Sequence, residues 1–347
     1  MFKAVLREKL DGQRVRCQAC AHYCVIERDN TGVCGVRYND DGELFLAVYG
    51  RPISVHVDPI EKKPLYHFLP GTEIFSLGTV GCNFGCDFCQ NWDISQFKIQ
   101  NPRLPGGGAK SKIQKFGEEW MPKKIIEHCL KNKIPSIAYT YNEPTIFAEY
   151  VYDTARLAKE NGLKNVMVSN GYQSKKSLNY LAPVIDAINI DLKAWDEKFY
   201  LKICRAKLSV VKENIKLWKE KGVWVEITTL LIPGRNDEEG DLRALAKFLA
   251  GVDKGMPWHL SRFFPQYKMT DGKATPLETL IKTYEIGEKV GLKYTYVGNV
   301  LETNYEHTFC SRCGEKLIER LGMGIVQNKV KDGACFKCGE RVEGIWR

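Results

Sequence analysis

Residues 74–96 read "IFSLGTVGCNFGCDFCQNWDISQ": a short β-rich run passes directly into three cysteines, Cys82, Cys86 and Cys89, and then into a Trp-bearing loop. Most protein metal sites take four ligands. Three thiolates leave one metal position without a protein ligand, and in a zinc or iron–sulfur centre that open position is usually where chemistry occurs. The first expectation is therefore a reactive centre at the end of a strand.

Outward from this stretch, residues 74–300 repeat one unit: a short β-rich run, a loop, and a segment of helical periodicity. Further runs are "SIAYTY" (136–141), "KNVMVSNG" (164–171), "AINIDL" (187–192), "VWVEITTLLIP" (223–233), "WHLSRFF" (258–264) and "KYTYVGNV" (293–300). Segments such as "MPKKIIEHCLKNK" and "DEEGDLRALAKFLAG" place apolar residues three and four apart and end near Gly or Lys, as amphipathic helices do. This alternation predicts an α/β fold of parallel strands with helical crossovers, either open or closed into a barrel. "YNEP", "SNGY", "DLK" and "HLSRFF" fall at the C-terminal ends of their strands, the face on which βα barrels assemble active sites.

Before residue 71 the pattern changes to a cysteine cluster followed by "GVRYNDDGELFLAVYGRP", which reads as two strands joined at Asp40, Asp41 and Gly42. The sequence thus divides into an N-terminal cysteine-rich β lobe (1–70), a βα domain (71–302) and a C-terminal four-cysteine module (303–347). "GGGAKSK" at 106–112 is the expected mobile segment.

No run approaches the roughly eighteen apolar residues that span a bilayer, and the first residues lack the apolar core of a signal peptide. A cytoplasmic protein without membrane attachment is expected. The formal charge of +9 comes from Lys and Arg scattered along amphipathic segments rather than gathered in blocks, as on a solvated basic surface.

Thirteen cysteines in a chain without export signals point to metal ligation rather than disulfides. Cys310-x2-Cys313 and Cys335-x2-Cys338, separated by 21 residues and each followed by Gly, have the spacing of a four-thiolate zinc ribbon. Cys17, Cys20, Cys24 and Cys34 could hold a second zinc ion or an auxiliary iron–sulfur cluster. Their spacing matches neither a ribbon nor a ferredoxin closely, His22 could replace one thiolate, and structural zinc is the favoured reading. Cys129 and Cys204 stand alone and are read as buried or incidental thiols. His259, Arg262 and Tyr267 either face substrate or, for His259, belong to a hydrogen-bonded core.

Cys82-x3-Cys86-x2-Cys89, with Phe88 before the third cysteine and a strand before the first, resembles the signature of the radical S-adenosylmethionine (SAM) superfamily. The resemblance implies a partial (β/α)6-type TIM barrel with a 4Fe-4S cluster on the three thiolates, its fourth iron chelated by SAM. One electron from an external donor then yields a 5'-deoxyadenosyl radical that abstracts a substrate hydrogen. "YTYNEPTIF" lies where that superfamily carries a Gly-Gly-Glu-Pro motif, so Glu143 would accept from the methionine ammonium, while Tyr141 and Asn142 replace the paired glycines.

"SNGY" and "INIDLKAW" resemble the third- and fourth-strand motifs of pyruvate formate-lyase activating enzymes. On that likeness Ser169 and Asn170 would face the methionine or ribose, with Asn142 nearby, and Asp191 and Lys193 would lie beside the methionine carboxylate or the substrate. Alternatively, Asn142 caps a helix and Lys193 simply pairs with Asp191. Val168 and Ser169 stand where those enzymes carry the Asp-Thr that helps hold a monovalent cation, a departure that puts such a site in doubt here.

"DPIEKKPLYHFLPG", "CQNWDISQ", "SRFFPQYKMTD" and the terminal pair of cysteine pairs are similar to the radical component of the AmmeMemoRadiSam system, which implies AMMECR-type and Memo-type proteins as partners. Two enzymatic readings follow: modification of a protein partner, of the glycyl-radical or another type, or modification of RNA. A third is a non-catalytic iron–sulfur redox sensor, which would need no cofactor pocket.

Overall fold

The structure, a computed structural model, describes residues 2–96, 117–300 and 304–347. The 106–112 stretch and the expected boundary at 302/303 lie outside them. The chain forms two compact units, Met1–Asp58 with Glu73–Asp186, and Pro59–Thr72 with Ala187–Arg347.

In the first unit, two small antiparallel sheets are built from β1 (Phe2–Lys3), β2 (Arg7–Lys9), β3 (Val15–Cys17), β4 (Val25–Ile26), β5 (Arg37–Asp40) and β6 (Glu43–Leu46), ordered β1-β6-β5 and β2-β3-β4. The hairpin turns where the sequence indicates: Asp40 pairs Glu43, and Asp41 and Gly42 both take positive φ, 55° and 79°. Two successive positive φ values match the twist of the flanking strands, and a β-branched residue would strain there. The remaining strands are β7 (Ser54–Pro59), β8 (Glu73–Gly78), β9 (Ser136–Tyr139) and β10 (Lys164–Ser169), in the order β10-β9-β8-β7. β8, β9 and β10 are parallel, and all four residues of β9 are buried. Burial on both faces is why these runs read as apolar without alternation.

Helix Ala148–Glu160 buries Ala148, Val151, Ala155 and Ala158, the three-and-four spacing of one helical face. Glu149 on the same helix is also buried, because Arg37 from β5 reaches it. The guanidinium Nη2 pairs with Oε2, Nη1 donates to Oε1 at 3.1 Å, and Nε donates to the Ile146 carbonyl at 2.7 Å. Glu149 Oε1 further accepts from the backbone N–H groups of Val5 and Leu6. Removing one partner of such a pair strands the other charge. Arg37→Met is expected to destabilise the protein by roughly 3–5 kcal/mol, and Arg37→Met/Glu149→Leu by less than Arg37→Met alone, as read from denaturant midpoints. A double variant worse than the single one would show that Glu149 is satisfied without Arg37.

The second unit carries β11 (Ala187–Asp191), β12 (Trp224–Leu231), β13 (Trp258–Arg262) and β14 (Thr295–Gly298), consecutive and parallel. Helices Leu208–Glu220, Glu239–Val252 and Leu277–Val290 connect or follow them. The last ends at Gly291, whose φ of 93° lies in the left-handed region that closes helices. Beyond residue 303, antiparallel β15 (Lys316–Leu321) and β16 (Gly324–Asn328) form a hairpin. Leu317, Ile318, Cys310 and Cys335 pack with Tyr66, Tyr294 and Tyr296 into one cluster. The C-terminal module is therefore seated on the core of its own unit.

Among the described residues, no helix is long and apolar enough to cross a membrane. Among the described residues, no disulfide joins any of the cysteines.

Candidate active site

β8 ends at Gly78, and the chain then leaves the sheet carrying the three cysteines in a loop that closes on the short helix Trp92–Ser95. Gly81 N–H donates to the Ile94 carbonyl at 2.8 Å, which fixes both ends of the loop. Gly81 takes φ 88°, and a Cβ there would fall 2.5 Å from the Cys34 carbonyl, so both conformation and space require glycine. The Cys82 thiol accepts from Phe84 N–H, and Cys89 N–H donates to the Cys86 carbonyl at 3.3 Å. Burial, together with Glu143, Cys86 and Cys89 nearby, pushes the Cys82 thiol well above its ordinary pKa.

Glu143 follows β9 and is fully buried. It caps the 3-10 turn Pro144–Phe147 through Thr145 N–H at 3.0 Å, a role that the sequence had offered to Asn142. Its Oε1 also accepts from Thr145 Oγ1 and from Ser169 Oγ at 2.9 Å, and its Oε2 from Asn170 N–H at 2.7 Å. Burial raises its pKa against the hydrogen bonds from Thr145, Asn170 and Ser169. No cationic side chain pairs with it among the described residues.

Asn142 turns toward the first strand's exit instead: its amide accepts from Thr79 N–H and donates to Thr79 Oγ1 and to the Gly81 carbonyl at 2.8 Å. Asn170 donates from Nδ2 to Asn83 Oδ1 at 2.7 Å, and Gln173 Nε2 bridges Ser169 Oγ and Thr145 Oγ1. The structure therefore gathers Glu143, Ser169 and Asn170 around the Cys82 loop and adds Asn83, Thr145 and Gln173, which the sequence reading missed. Asn83 lay inside the quoted motif, and a polar residue beside a ligand in a buried loop was the available signal.

Asp191 and Lys193 belong to the second unit, where Lys193 Nζ donates to Asp191 Oδ2 at 3.0 Å. The Lys193 carbonyl accepts from Asn236 Nδ2, and its N–H donates to Tyr200 Oη. His259 is a core residue, with Nε2 2.6 Å from Glu226 Oε2, and Arg262 Nε donates to the Thr275 carbonyl. Among the described residues, the four C-terminal cysteines alone bring three or more candidate ligands within 4.8 Å of one another. Cys310 and Cys338 Sγ lie 3.6 Å apart, and Cys313 and Cys335 Sγ 3.8 Å.

The profile of the radical SAM superfamily matches residues 76–246, from β8 into helix Glu239–Val252. The protein MJ0808 of Methanocaldococcus jannaschii is 42% identical over 346 residues, covering 99% of both chains. A putative glycyl-radical enzyme activating enzyme of the same organism, MJ1632, is 28% identical over 65% of this chain and 78% of its own. Pyruvate formate-lyase 1-activating enzyme of Escherichia coli K12 is 22% identical over 62% of this chain and 89% of its own. The chain belongs to the radical SAM superfamily. A radical SAM methyltransferase structure from Sphaerobacter thermophilus shares the fold, with TM-score 0.50 and 16% identity over 66% of this chain and 67% of that one.

Membership in this radical SAM family implies a 4Fe-4S cluster and SAM, which together supply a 5'-deoxyadenosyl radical for hydrogen abstraction. The site fits that pair of groups. Cys82, Cys86 and Cys89 are not gathered to the reach of one ion, as ligands of three separate irons would not be. Glu143 is a buried carboxylate with no cationic partner among the described residues, and low dielectric penalises its charge unless a positive group enters. The buried Asn83 Nδ2 has no hydrogen-bond partner among the described residues, a donor left for an acceptor that a bound group would supply.

Proposed function

We propose that this radical SAM enzyme abstracts hydrogen from a protein partner, in the manner that the names of its activating-enzyme relatives suggest, and that it works with AMMECR-type and Memo-type proteins. The observation that carries the cofactor assignment is Glu143, a fully buried carboxylate beside Cys82 whose Oε2 accepts only from Asn170 N–H among the described groups.

In this reading Cys82, Cys86 and Cys89 hold the 4Fe-4S cluster, and Glu143 accepts from the methionine ammonium. Ser169 and Asn170 line the methionine or ribose, Asn142 holds the Thr79–Gly81 turn in place for them, and Asp191 with Lys193 meets the carboxylate or the substrate. Cys310, Cys313, Cys335 and Cys338 bind zinc: thiols at 3.6–3.8 Å and two glycines at φ 70° and 74° closing matched turns suit a tetrahedral ion. The chain acts as three modules, 1–70, a partial barrel over 71–302, and 303–347, in the cytoplasm, with an external one-electron donor.

Glu143→Gln keeps the shape but removes the charge. It is expected to weaken SAM binding about 10- to 100-fold, as for a charge-assisted hydrogen bond, with iron content unchanged. Unaltered affinity by equilibrium dialysis against the anaerobic protein would remove Glu143 from this role.

For the substrate, the anaerobically reconstituted protein with dithionite and SAM is to be assayed for 5'-deoxyadenosine with AMMECR-type and Memo-type proteins, or with RNA. Faster release with protein supports the proposal. Faster release with RNA alone transfers the activity to RNA modification.

A further inference from the structure

Cys17, Cys20, Cys24 and Cys34 lie in the first unit, and Cys17, Cys20 and Cys34 are buried. No disulfide joins them, yet all six pairs are close enough to influence one another electrostatically. Their thiols accept backbone hydrogen bonds in a regular pattern. Cys17 accepts from Ala19 N–H, Cys20 from His22 N–H, and Cys34 from Val36 and Arg37 N–H, each two or three residues downstream. The same pattern holds at the C-terminal group, where Cys335 accepts from Lys337 and Cys338 N–H, and at Cys82, which accepts from Phe84 N–H. Backbone N–H groups aimed at sulfur stabilise thiolate over thiol and are the usual surroundings of a metal-bound cysteine.

The two four-cysteine groups differ in size. The C-terminal sulfurs converge to single-ion distance, whereas no three of Cys17, Cys20, Cys24 and Cys34 lie within 4.8 Å of one another. One tetrahedral ion draws its four sulfurs together, while a polynuclear cluster holds each on a different iron or shares them between two. His22 is not available through Nε2, which donates to the Asn83 carbonyl at 2.8 Å.

We propose that Cys17, Cys20, Cys24 and Cys34 bind a second iron–sulfur cluster rather than zinc. Its loop is joined to the loop of the first centre. His22 reaches Asn83, the Cys34 carbonyl packs against Gly81, and Ala21 N–H donates to the Tyr172 carbonyl at 3.0 Å, two residues beyond Asn170. The second centre therefore shares its support with the Cys82 loop and does not depend on which substrate the enzyme takes.

The test uses the full chain with Cys82, Cys86 and Cys89 all changed to Ala, reconstituted without oxygen with iron and sulfide. Iron, acid-labile sulfide and zinc are counted per chain after gel filtration, and low-temperature EPR is recorded on the dithionite-reduced protein. The variant is expected to keep about half or about a third of the wild-type iron, for a four-iron or a two-iron cluster, with matching sulfide and an EPR signal. Adding Cys17→Ser and Cys34→Ser should remove iron and sulfide but leave the C-terminal metal, with the circular dichroism spectrum as the check on folding. Two zinc ions per chain without sulfide, neither metal at the N-terminal group, or iron that survives the serine changes would each overturn the proposal. If instead the triple variant holds as much iron as the wild type, it is the assignment of the Cys82 centre that fails.

Discussion

Changing Cys82 to Ala is expected to reduce 5'-deoxyadenosine formation more than about 100-fold, beyond the 10- to 100-fold typical when only a supporting residue of a metal site is lost. Cys82 is the proposed ligand on which the other observations converge: its sulfur accepts from Phe84 N–H, and Glu143, Cys86 and Cys89 all bear on its thiol. On that proposal, two thiolates would remain without it for a cluster that needs three, and the carboxylate of Glu143 would stay buried with no cationic partner among the described residues. Cys129→Ala is the matched control. That thiol is buried on helix Pro122–Lys131 and raised by burial to about 12, so it supplies no thiolate and its loss should leave iron and product unchanged. The measurement is chromatographic 5'-deoxyadenosine from SAM and dithionite, alongside iron content. Product from the Cys82 variant at the wild-type rate would refute the ligand assignment.

The proposed three-cysteine centre could be put forward from sequence because its thiols and the strand that carries them stand in the same short segment. Cys82, Cys86 and Cys89 are close enough in sequence to share one loop, and the strand before them announces where that loop sits. The βα alternation was equally open to reading, since strands buried on both faces have little choice but apolar residues, as β9 shows. What stayed hidden were residues whose value is geometric. Asn83, Thr145 and Gln173 are ordinary polar residues in sequence, and only the meeting of three loops joins them into one hydrogen-bonded group with Glu143, Ser169 and Asn170. Asn142 shows the opposite case, a motif position whose amide is given over to Thr79 and Gly81. His259 sits at the start of β13 and could be read either way until Glu226, 33 residues earlier, appeared against it. Spacing alone also cannot tell one ion from a cluster, because it fixes which sulfurs meet but not how far apart they stop.

The second large effect is expected at Glu226, from physics unrelated to the reaction. Its fully buried carboxylate accepts four hydrogen bonds: Tyr66 N–H at 3.0 Å and His259 Nε2 at 2.6 Å on Oε2, and His67 N–H and Trp224 Nε1, each at 2.9 Å, on Oε1. Burial alone would raise its pKa, but the hydrogen bond and charge of His259, with His67 and Trp224, bring it below the ordinary carboxylate value. Glu226→Ala leaves several buried donors unmatched and should cost roughly 3–5 kcal/mol of unfolding free energy.

His67, held next to it, gives the pH signature. Nδ1–H donates to the Glu343 carbonyl, Nε2 accepts from Tyr296 Oη, and Arg320 anchors the far end of the chain by donating to Thr308 Oγ1. These contacts keep the ring neutral, and burial lowers its pKa from 6.5 to about 4, against the opposing charge of Glu226. The unfolded chain therefore takes up a proton between those values that the folded chain refuses. Stability from this group is complete above pH 6.5 and is lost as the pH falls toward 4, by roughly 3 kcal/mol at the lower end. Glu226, with its depressed value, loses its own contribution at still lower pH and in the same direction. Denaturant midpoints from pH 7 to pH 4 should fall more steeply for the wild type than for His67→Gln, which is less stable throughout but lacks the titrating ring. Parallel profiles for the two proteins would show that the acid sensitivity arises elsewhere.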